Sequence, residues 1–304
     1  MAIQVNRVLN WKPDPKLTLA PRLKASFWAK ITAPKEAENH PGTKIWPVED
    51  QLTLGSCTAF GGKHLVEYLD LKDGNWIPRS ALFLYYNNRL WNDTINEDSG
   101  AYITDILESL KVYGLCHEGL WPYDVSRFTQ KPPANAYDEA DDYQAIEWQW
   151  VQFDDLRAVL AAGNIVCFGT YVFDNIWRVG SDGKLPDLLP SDRLAGGHCM
   201  VITGYRTESD GVWFHVLNQW GDWGENGFCW IREDYMKMWA SDFLVLTRVE
   251  NVTEDAPQPP APSPSPTPTP QPDPAPTPSP QPVPPSPQRS CALAGLWKRL
   301  GLMK

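Results

Sequence analysis

The feature that most limits how this chain folds is a proline-rich run at residues 257–287. Within it, 17 prolines are interleaved with Ser, Thr, Gln and Ala. Proline lacks the backbone N–H that helices and sheets need, so this run predicts a polyproline-II spacer of roughly 95 Å, at about 3.1 Å per residue. We therefore expect an extended lead-in over residues 1–45, one folded domain over 46–252, a disordered linker over 253–289 and a short tail over 290–304.

Composition narrows the class of the folded domain. The chain has 37 acidic and 27 basic residues, and its net charge of −10 argues against a nucleic-acid partner. Fifteen tryptophans indicate an aromatic-rich core. The six cysteines form no C-x-x-C pair, and no His/Cys group has zinc spacing, so we expect neither a metal nor another cofactor. No signal peptide or membrane-spanning stretch is visible, which predicts a cytoplasmic protein, expected to be monomeric. A phage particle and non-classical export are the alternatives for its location.

Predicted helices come first along the folded domain, and predicted strands follow. Apolar residues on helical spacing predict one helix after Cys57, a second over residues 81–91 and a third ended by Gly114. A fourth, short helix follows Asp155. This order favours an α+β fold with a helical half and a sheet half. Strands are expected at residues 165–172, 199–205, 212–217, 228–231 and 243–249.

Cys57 lies at the start of the first predicted helix, directly after a Gly-Ser turn. Unpaired amides at a helix N-terminus favour negative charge, so we expect the thiol to be shifted toward thiolate. Gln51, six residues upstream, has a side-chain amide that could face the same point. The alternative is a buried structural cysteine, which is a common environment for this residue type.

His198 is the histidine best placed to serve as a base for such a thiol. It enters a predicted strand after two glycines, and a turn leads that strand back to Asn218. If the hairpin pairs residue 205 with about 212, His198 and Asn218 are cross-strand neighbours within one register step. An amide in that position can hold the imidazole in one tautomer, and Trp220 can cover the hydrogen bond.

Together these segments resemble the papain-like cysteine peptidases, in particular bacterial or phage-type members without the long inhibitory propeptide. The matching pieces, in the family's order, are Gln51 with Gly-Ser-Cys57-x-Ala-Phe, then Gly-Gly-His198, then Asn218-x-Trp-Gly, with Trp-Pro-Tyr between them. His198 and Asn218 follow Cys57 by 141 and 161 residues, close to the spacing of the papain signature. The resemblance covers about residues 40–250.

The resemblance implies a two-lobed α+β fold, with a helical N-terminal lobe and an antiparallel β-sheet or barrel as the C-terminal lobe. It implies that Cys57 is the nucleophile, that His198 is the general base and acid, and that Asn218 orients His198. Gln51 and the Cys57 backbone amide are then the oxyanion hole. The implied reaction is hydrolysis of a peptide bond in a protein or peptide substrate through a thioester.

Substrate binding is assigned by the same resemblance to Gly100, Gly197 and Trp220. Two departures stand out: Thr58 occupies a position where the best-known members have Trp, and Gln219 occupies one where Ser is usual. Because the long propeptide is absent, restraint of the activity has to come from residues 1–45, from the tail or from the location of the protein. The remaining possibility is that the activity is not restrained at all.

Two other functions stay open at this point. One is a catalytically silent binding or structural module on the same scaffold, and the other is a Cys-His amidase that acts on cell wall. The tail adds a separate hypothesis. Residues 291–304 form an amphipathic stripe of Leu, Trp and Met beside Lys and Arg, which suits a membrane surface or a protein partner. A disordered terminus is the alternative.

Overall fold

The structure is a computed structural model that describes residues 7–15, 31–141 and 144–250, without the side chains of 144–146 and 247–250. The proline-rich linker and the amphipathic tail lie outside these residues. Their roles, and the four-part division of the chain, therefore stay predictions. In the described ranges, no helix is both long and apolar enough to cross a membrane.

Helices make up most of the N-terminal half of the described domain. Those predicted after Cys57, over 81–91, before Gly114 and after Asp155 are all present. Two seven-residue helices were missed, because fewer than two full turns do not show a helical period in the sequence. The helices are α1 (Cys57–Lys72), α2 (Ala81–Trp91), α3 (Ile103–Tyr113), α4 (Ala134–Ala140), α5 (Leu156–Ala161), the irregular turn α6 (Trp223–Asn226) and α7 (Glu233–Trp239).

The strands form one antiparallel sheet with the order β2-β7-β3-β4-β5-β6, and β1 pairs with β4. All five predicted strands are present. The sequence reading missed β1 and β2, although Ile146, Trp148 and Trp150 alternate with polar residues as a half-buried strand requires. The strands are β1 (Glu36–Glu38), β2 (Gln144–Trp150), β3 (Val166–Phe173), β4 (Leu194–Glu208), β5 (Gly211–Leu217), β6 (Phe228–Arg232) and β7 (Ala240–Glu250).

The register predicted for the β4–β5 hairpin was wrong by two residues. Tyr205 pairs with Phe214 and not with residue 212, because Glu208 pairs with Gly211, which places the two-residue turn at residues 209 and 210. An irregularity further along the ladder changes the register by one step, and the last pair is Val201 with Leu217. Asn218 therefore follows directly after the end of β5, within reach of His198.

The sheet separates two apolar cores. On β3, Cys167 faces the helices, whereas Val166 and Phe168 face the opposite core. On β4, Cys199 packs toward the helices and Met200 packs away from them. This alternation is the period of two that a β-strand imposes. It confirms the two-lobed α+β fold, in which helices α1 to α4 pack on one face of the sheet and the short helices α5 and α7 pack on the other.

Helix α1 lies between the lobes and is buried from Cys57 to Tyr68. Its close approach to the sheet depends on Gly61. A Cβ at that position would lie 2.7 Å from Cys167 Sγ and 2.8 Å from Cys199 Sγ. Those distances are shorter than van der Waals contact, so any side chain there would push α1 away from β3 and β4. The glycine thus sets the height of Cys57 above the sheet.

The buried part of α1 also contains a cation with two carboxylates. Lys63 Nζ lies 2.7 Å from Glu67 and 2.5 Å from Glu49, and Trp46 Nε1 donates to Glu67 at 2.9 Å. Glu49, His64 and Glu67 have ligand atoms within 4.8 Å of one another, as a metal site would. The ammonium of Lys63 already supplies the positive charge there, so the cluster is better explained as a buried ion pair network.

We predict that Glu67→Ala lowers the free energy of unfolding by about 3 kcal/mol, because it leaves the buried Lys63 ammonium and the Trp46 indole short of an acceptor. Chemical denaturation of both proteins measures the difference. Glu97→Ala, which removes an exposed carboxylate, is the control and should change stability by less than about 0.5 kcal/mol. Equal stability of Glu67→Ala and the parent protein would contradict this account.

Candidate active site

Cys57 is the first residue of α1 and only 1% exposed. Burial raises the pKa of its thiol to about 12, although the backbone amides of Cys199 and Thr58 favour the thiolate. The expected shift toward thiolate is therefore wrong for the arrangement seen here. The helix-terminal amides act in the predicted direction, but loss of water outweighs them. The contact with the Cys199 amide places the thiol beside the residue that follows His198.

The tautomer of His198 follows from its neighbours. Asn218 Oδ1 accepts the backbone N–H of Gln219 at 2.9 Å, and since that group can only donate, the Asn218 amide has a single orientation. The same oxygen lies 2.8 Å from His198 Nε2, so Nε2 carries the proton. Nδ1 of the neutral ring then holds the lone pair, and it is buried without a hydrogen-bond partner among the described residues.

His198 is fully buried, and burial lowers its pKa to about 4. Trp220 covers the ring, with centroids 4.6 Å apart and planes 25° from parallel. Trp220 itself stacks on Trp177 at 5.2 Å. The predicted His198–Asn218 contact and its cover are both present. Burial thus raises the pKa of the Cys57 thiol and lowers the pKa of the His198 imidazole, and both shifts favour the neutral forms.

Gln51 is held by three side chains, two of which fix the orientation of its side-chain amide. Its Oε1 accepts hydrogen bonds from Gln219 Nε2 at 3.0 Å and from Trp220 Nε1 at 3.3 Å. Tyr123 donates to its backbone carbonyl at 2.9 Å. Nε2 therefore points away from these groups, toward the carbonyl oxygens of Leu54 at 2.8 Å and Val8 at 3.5 Å.

The sequence did not predict that Gln219 and Tyr123 position Gln51. Gln219 was noticed only as a departure from the usual Ser, and its side chain also donates to the Cys199 carbonyl at 2.9 Å. Tyr123 belongs to the Trp-Pro-Tyr segment, and its hydroxyl lies 2.6 Å from that of Ser56. Both residues lie in motifs that the sequence analysis identified. Their contacts with Gln51 join positions far apart in the chain, so only the folded structure shows them.

Residues 7–14, here called the N-terminal strap, cross this site. Asn10 forms a parallel bridge with Gly197, and Trp11 N donates to the Gly197 carbonyl at 3.0 Å. On the helical side, a Cβ at Gly100 would lie 2.5 Å from Asn10 Cβ, and the positive φ of 69° at Gly100 also favours glycine. The two predicted substrate-binding glycines thus hold the strap from opposite lobes.

Arg7 and Val8 extend the strap over the other predicted site residues. Arg7 pairs with Asp50, and its guanidinium carbon lies 5.6 Å from the centroid of the Trp220 ring. The Val8 carbonyl faces the Gln51 amide, as described above. All three predicted substrate-binding residues therefore contact the chain's own N-terminal strap.

The family is shown by comparison with known proteins. Residues 33–242 match the model of the papain family of cysteine proteases, and the chain belongs to that family. It is accordingly a hydrolase of the cysteine peptidase class, as the resemblance predicted. Membership of a protease family implies protein or peptide substrates. Cellular location, oligomeric state and any partner of the tail stay predictions.

Individual relatives agree with this assignment. A peptidase C1-like protein of Acanthamoeba polyphaga mimivirus is 34% identical over 218 residues, which cover 66% of this chain and 69% of that protein. Among solved structures, xylellain, a cysteine protease from Xylella fastidiosa, is similar at 28% identity with a TM-score of 0.70, over 83% of this chain and 99% of that one. A procathepsin B from Trypanosoma congolense shares the fold at 15% identity and a TM-score of 0.63, over 80% and 87% of the two chains.

We predict that Gln219→Leu lowers kcat on a peptide substrate by about 10- to 100-fold, with little change in KM. Leu keeps the bulk of the side chain but removes the donor that orients the Gln51 amide, and misaligned oxyanion donors reduce transition-state binding. Steady-state kinetics measure both constants, and Gln152→Leu, an exposed substitution, is the control. A change confined to KM, or no change, would show that Gln219 does not position Gln51.

Proposed function

We propose that this protein hydrolyses peptide bonds through a Cys57–His198–Asn218 triad and a thioester acyl-enzyme. The observation that carries the proposal is the tautomer of His198. Asn218 Oδ1 accepts a hydrogen bond from Nε2–H, which leaves on Nδ1 a buried lone pair that has no partner in the part of the chain that the structure describes. The next residue, Cys199, reaches the Cys57 thiol with its amide. A thiol nucleophile requires a base with such a free lone pair close by.

In the proposed first step, the sulfur of Cys57 attacks the carbonyl carbon of the scissile bond, and the thiol proton moves to His198 Nδ1. The Cys57 backbone amide and the Gln51 side-chain amide donate hydrogen bonds to the resulting oxyanion. The C–N bond then breaks, and His198 returns the proton to the leaving amine. Water attacks the thioester in the second half, with His198 as base, and releases the carboxylic acid and the free thiol.

In the same proposal, the N-terminal strap restrains the activity. It lies against Gly100, Gly197 and Trp220, where substrate is expected, and the Val8 carbonyl faces the Gln51 amide that would stabilise the oxyanion. The strap also contributes to the exclusion of water that keeps the thiol and the imidazole neutral. The sequence left four possibilities open, namely restraint by residues 1–45, by the tail, by location, or none, and the proposal assigns the restraint to residues 7–14.

Two alternatives differ from this function in a measurable way. A silent module on the same scaffold would not react with an electrophile at Cys57, although every position that the chemistry needs is filled. A cell-wall amidase would cleave peptidoglycan and not protein. Mass spectrometry of digests of a denatured protein and of purified peptidoglycan separates the amidase from the peptidase.

We predict that Cys57→Ala and His198→Ala each lower kcat/KM by at least about 10³-fold, because the two groups act as a unit. Asn218→Ala should cost less, since Asn218 only orients and shields the ring. Circular dichroism checks that each variant is folded, and Cys229→Ala, in the opposite core, is the matched thiol control. An active Cys57→Ala or His198→Ala protein would refute the triad.

We predict that Trp11→Ala raises kcat/KM on a short peptide at least about tenfold, because loss of a buried aromatic side chain weakens docking of the strap. Iodoacetamide near pH 6 should also label Cys57 faster in this variant than in the parent chain, and before the other thiols. Trp91→Ala, which truncates a tryptophan that is 44% exposed, is the control. Unchanged turnover and labelling in Trp11→Ala would show that the strap does not restrain the site.

A further inference from the structure

The carboxylate of Asp98 contacts the loop that leads into the nucleophile. Both of its oxygens lie 3.0 Å from the backbone nitrogen of Gly55, two residues before Cys57, so the Gly55 N–H is shared between them. This approach requires glycine, because a Cβ at position 55 would lie 2.9 Å from Asp98 Oδ1. The proposed reaction does not yet use this carboxylate.

The Gly55 N–H belongs to the same peptide unit as the Leu54 carbonyl. That carbonyl oxygen accepts the hydrogen bond from Gln51 Nε2 at 2.8 Å. Because a peptide unit is planar, a carboxylate that fixes the direction of its N–H also fixes the direction of its C=O. Hydrogen bonds in such a chain also polarise one another, which strengthens the carbonyl as an acceptor. Asp98 thus acts on the Gln51 amide through a single peptide unit.

Tyr85 extends this network to the predicted substrate-binding loop. Its hydroxyl donates to Asp98 Oδ1 at 2.5 Å and accepts the backbone N–H of Gly100 at 3.2 Å. Burial and the Asp98 carboxylate raise the pKa of Tyr85, so the hydroxyl keeps the proton that it donates. The carboxylate that fixes the Gly55 N–H therefore also fixes the peptide before Gly100.

The loop that carries Asp98 is itself held by Arg89. The guanidinium carbon of this buried residue lies 4.1 Å from the centroid of the Tyr85 ring, and its Nη1 donates to two carbonyls of the loop at 2.8 and 3.2 Å. Asn10 of the strap donates to the Asp98 backbone carbonyl at 2.8 Å. The strap thus bonds to the backbone of Asp98, and a change of its side chain leaves that acceptor in place.

We propose that Asp98 is a positioning residue that couples the oxyanion hole to the substrate-binding loop. Through the Leu54–Gly55 peptide it orients the Gln51 amide. Through Tyr85 it orients the backbone of Gly100. The inference rests on the proposed peptidase function, because the oxyanion forms only in that reaction.

A double-mutant cycle tests the link to Gln51. Asp98→Ala is compared with and without Gln51→Ala in the full chain, and all four proteins carry Trp11→Ala as a common background that weakens docking of the strap. On one quenched fluorescent peptide that the Trp11→Ala chain cleaves, Asp98→Ala should lower kcat at least about tenfold when Gln51 is present. When Gln51 is already Ala, the loss should be less than about threefold, because no side-chain donor is left to misalign.

Asp98→Asn keeps the shape of the side chain and one acceptor oxygen. It should lose less kcat than Asp98→Ala and show the same dependence on Gln51, so the test does not depend on Asp98→Ala being folded. Asp138→Ala, which removes an exposed carboxylate on α4, is the matched control and should leave kcat and KM unchanged.

Tyr85→Phe tests the link to Gly100. Phe keeps the buried ring on which Arg89 packs but removes the hydroxyl between Asp98 and the Gly100 N–H. In the same background, KM for that peptide should rise at least about threefold, because the substrate-binding loop is less well oriented. The Gly55 contacts remain, so kcat should stay within about twofold. An unchanged KM would overturn this half of the inference.

Iodoacetamide labelling separates positioning of the oxyanion hole from damage to the thiol. Alkylation of Cys57 forms no oxyanion, so its rate in Asp98→Ala should stay within about threefold of the background. Labelling that slows as much as kcat, or equal losses of kcat with and without Gln51, would overturn the inference while the peptidase function stands. If the Trp11→Ala chain cleaves no peptide and Cys57 resists peptidyl electrophiles, the proposed function itself fails, and the inference fails with it.

Discussion

The close approach of α1 to the sheet is the constraint on which the site depends. A helix that is buried along twelve residues has to meet β3 and β4 without a gap, and at Gly61 only a hydrogen fits above the thiols of Cys167 and Cys199. This distance brings the N-terminus of the helix to the backbone amide of Cys199, the residue that follows His198. The buried Lys63 network holds the same helix from its other side.

Access of water to the cleft determines whether the charged or the neutral forms of Cys57 and His198 are favoured. In the arrangement described here, burial favours the neutral forms of both Cys57 and His198, and the helix-terminal amides are too weak to reverse it. A thiolate–imidazolium pair is expected once water or a polar substrate enters, because solvation then favours the charged forms. The same residues thus have two charge states, and occupancy of the cleft decides between them.

The sequence predicted the fold class, the order of helices and strands and the His198–Asn218 contact, because each leaves a local signal. Periodicity identifies α1 and the strands, and short motifs mark the ends of β4 and β5. It did not predict the support of Gln51 by Gln219 and Tyr123, nor the position of Trp11 against Gly169. Those contacts join residues 72 to 168 positions apart, or a lead-in segment to a strand, and only packing of the lobes determines them.

The strap belongs to the same chain as the cleft that it occupies, so its effective concentration there is set by geometry and not by how much protein is present. Tethered segments commonly act at roughly millimolar effective concentration. A segment with only micromolar intrinsic affinity would then keep about 99.9% of the molecules closed. One cut in the chain between residues 15 and 31 would turn this unimolecular equilibrium into a bimolecular one. At nanomolar protein the released peptide would be diluted far below its dissociation constant, so a single cleavage would act as an irreversible, dilution-driven release.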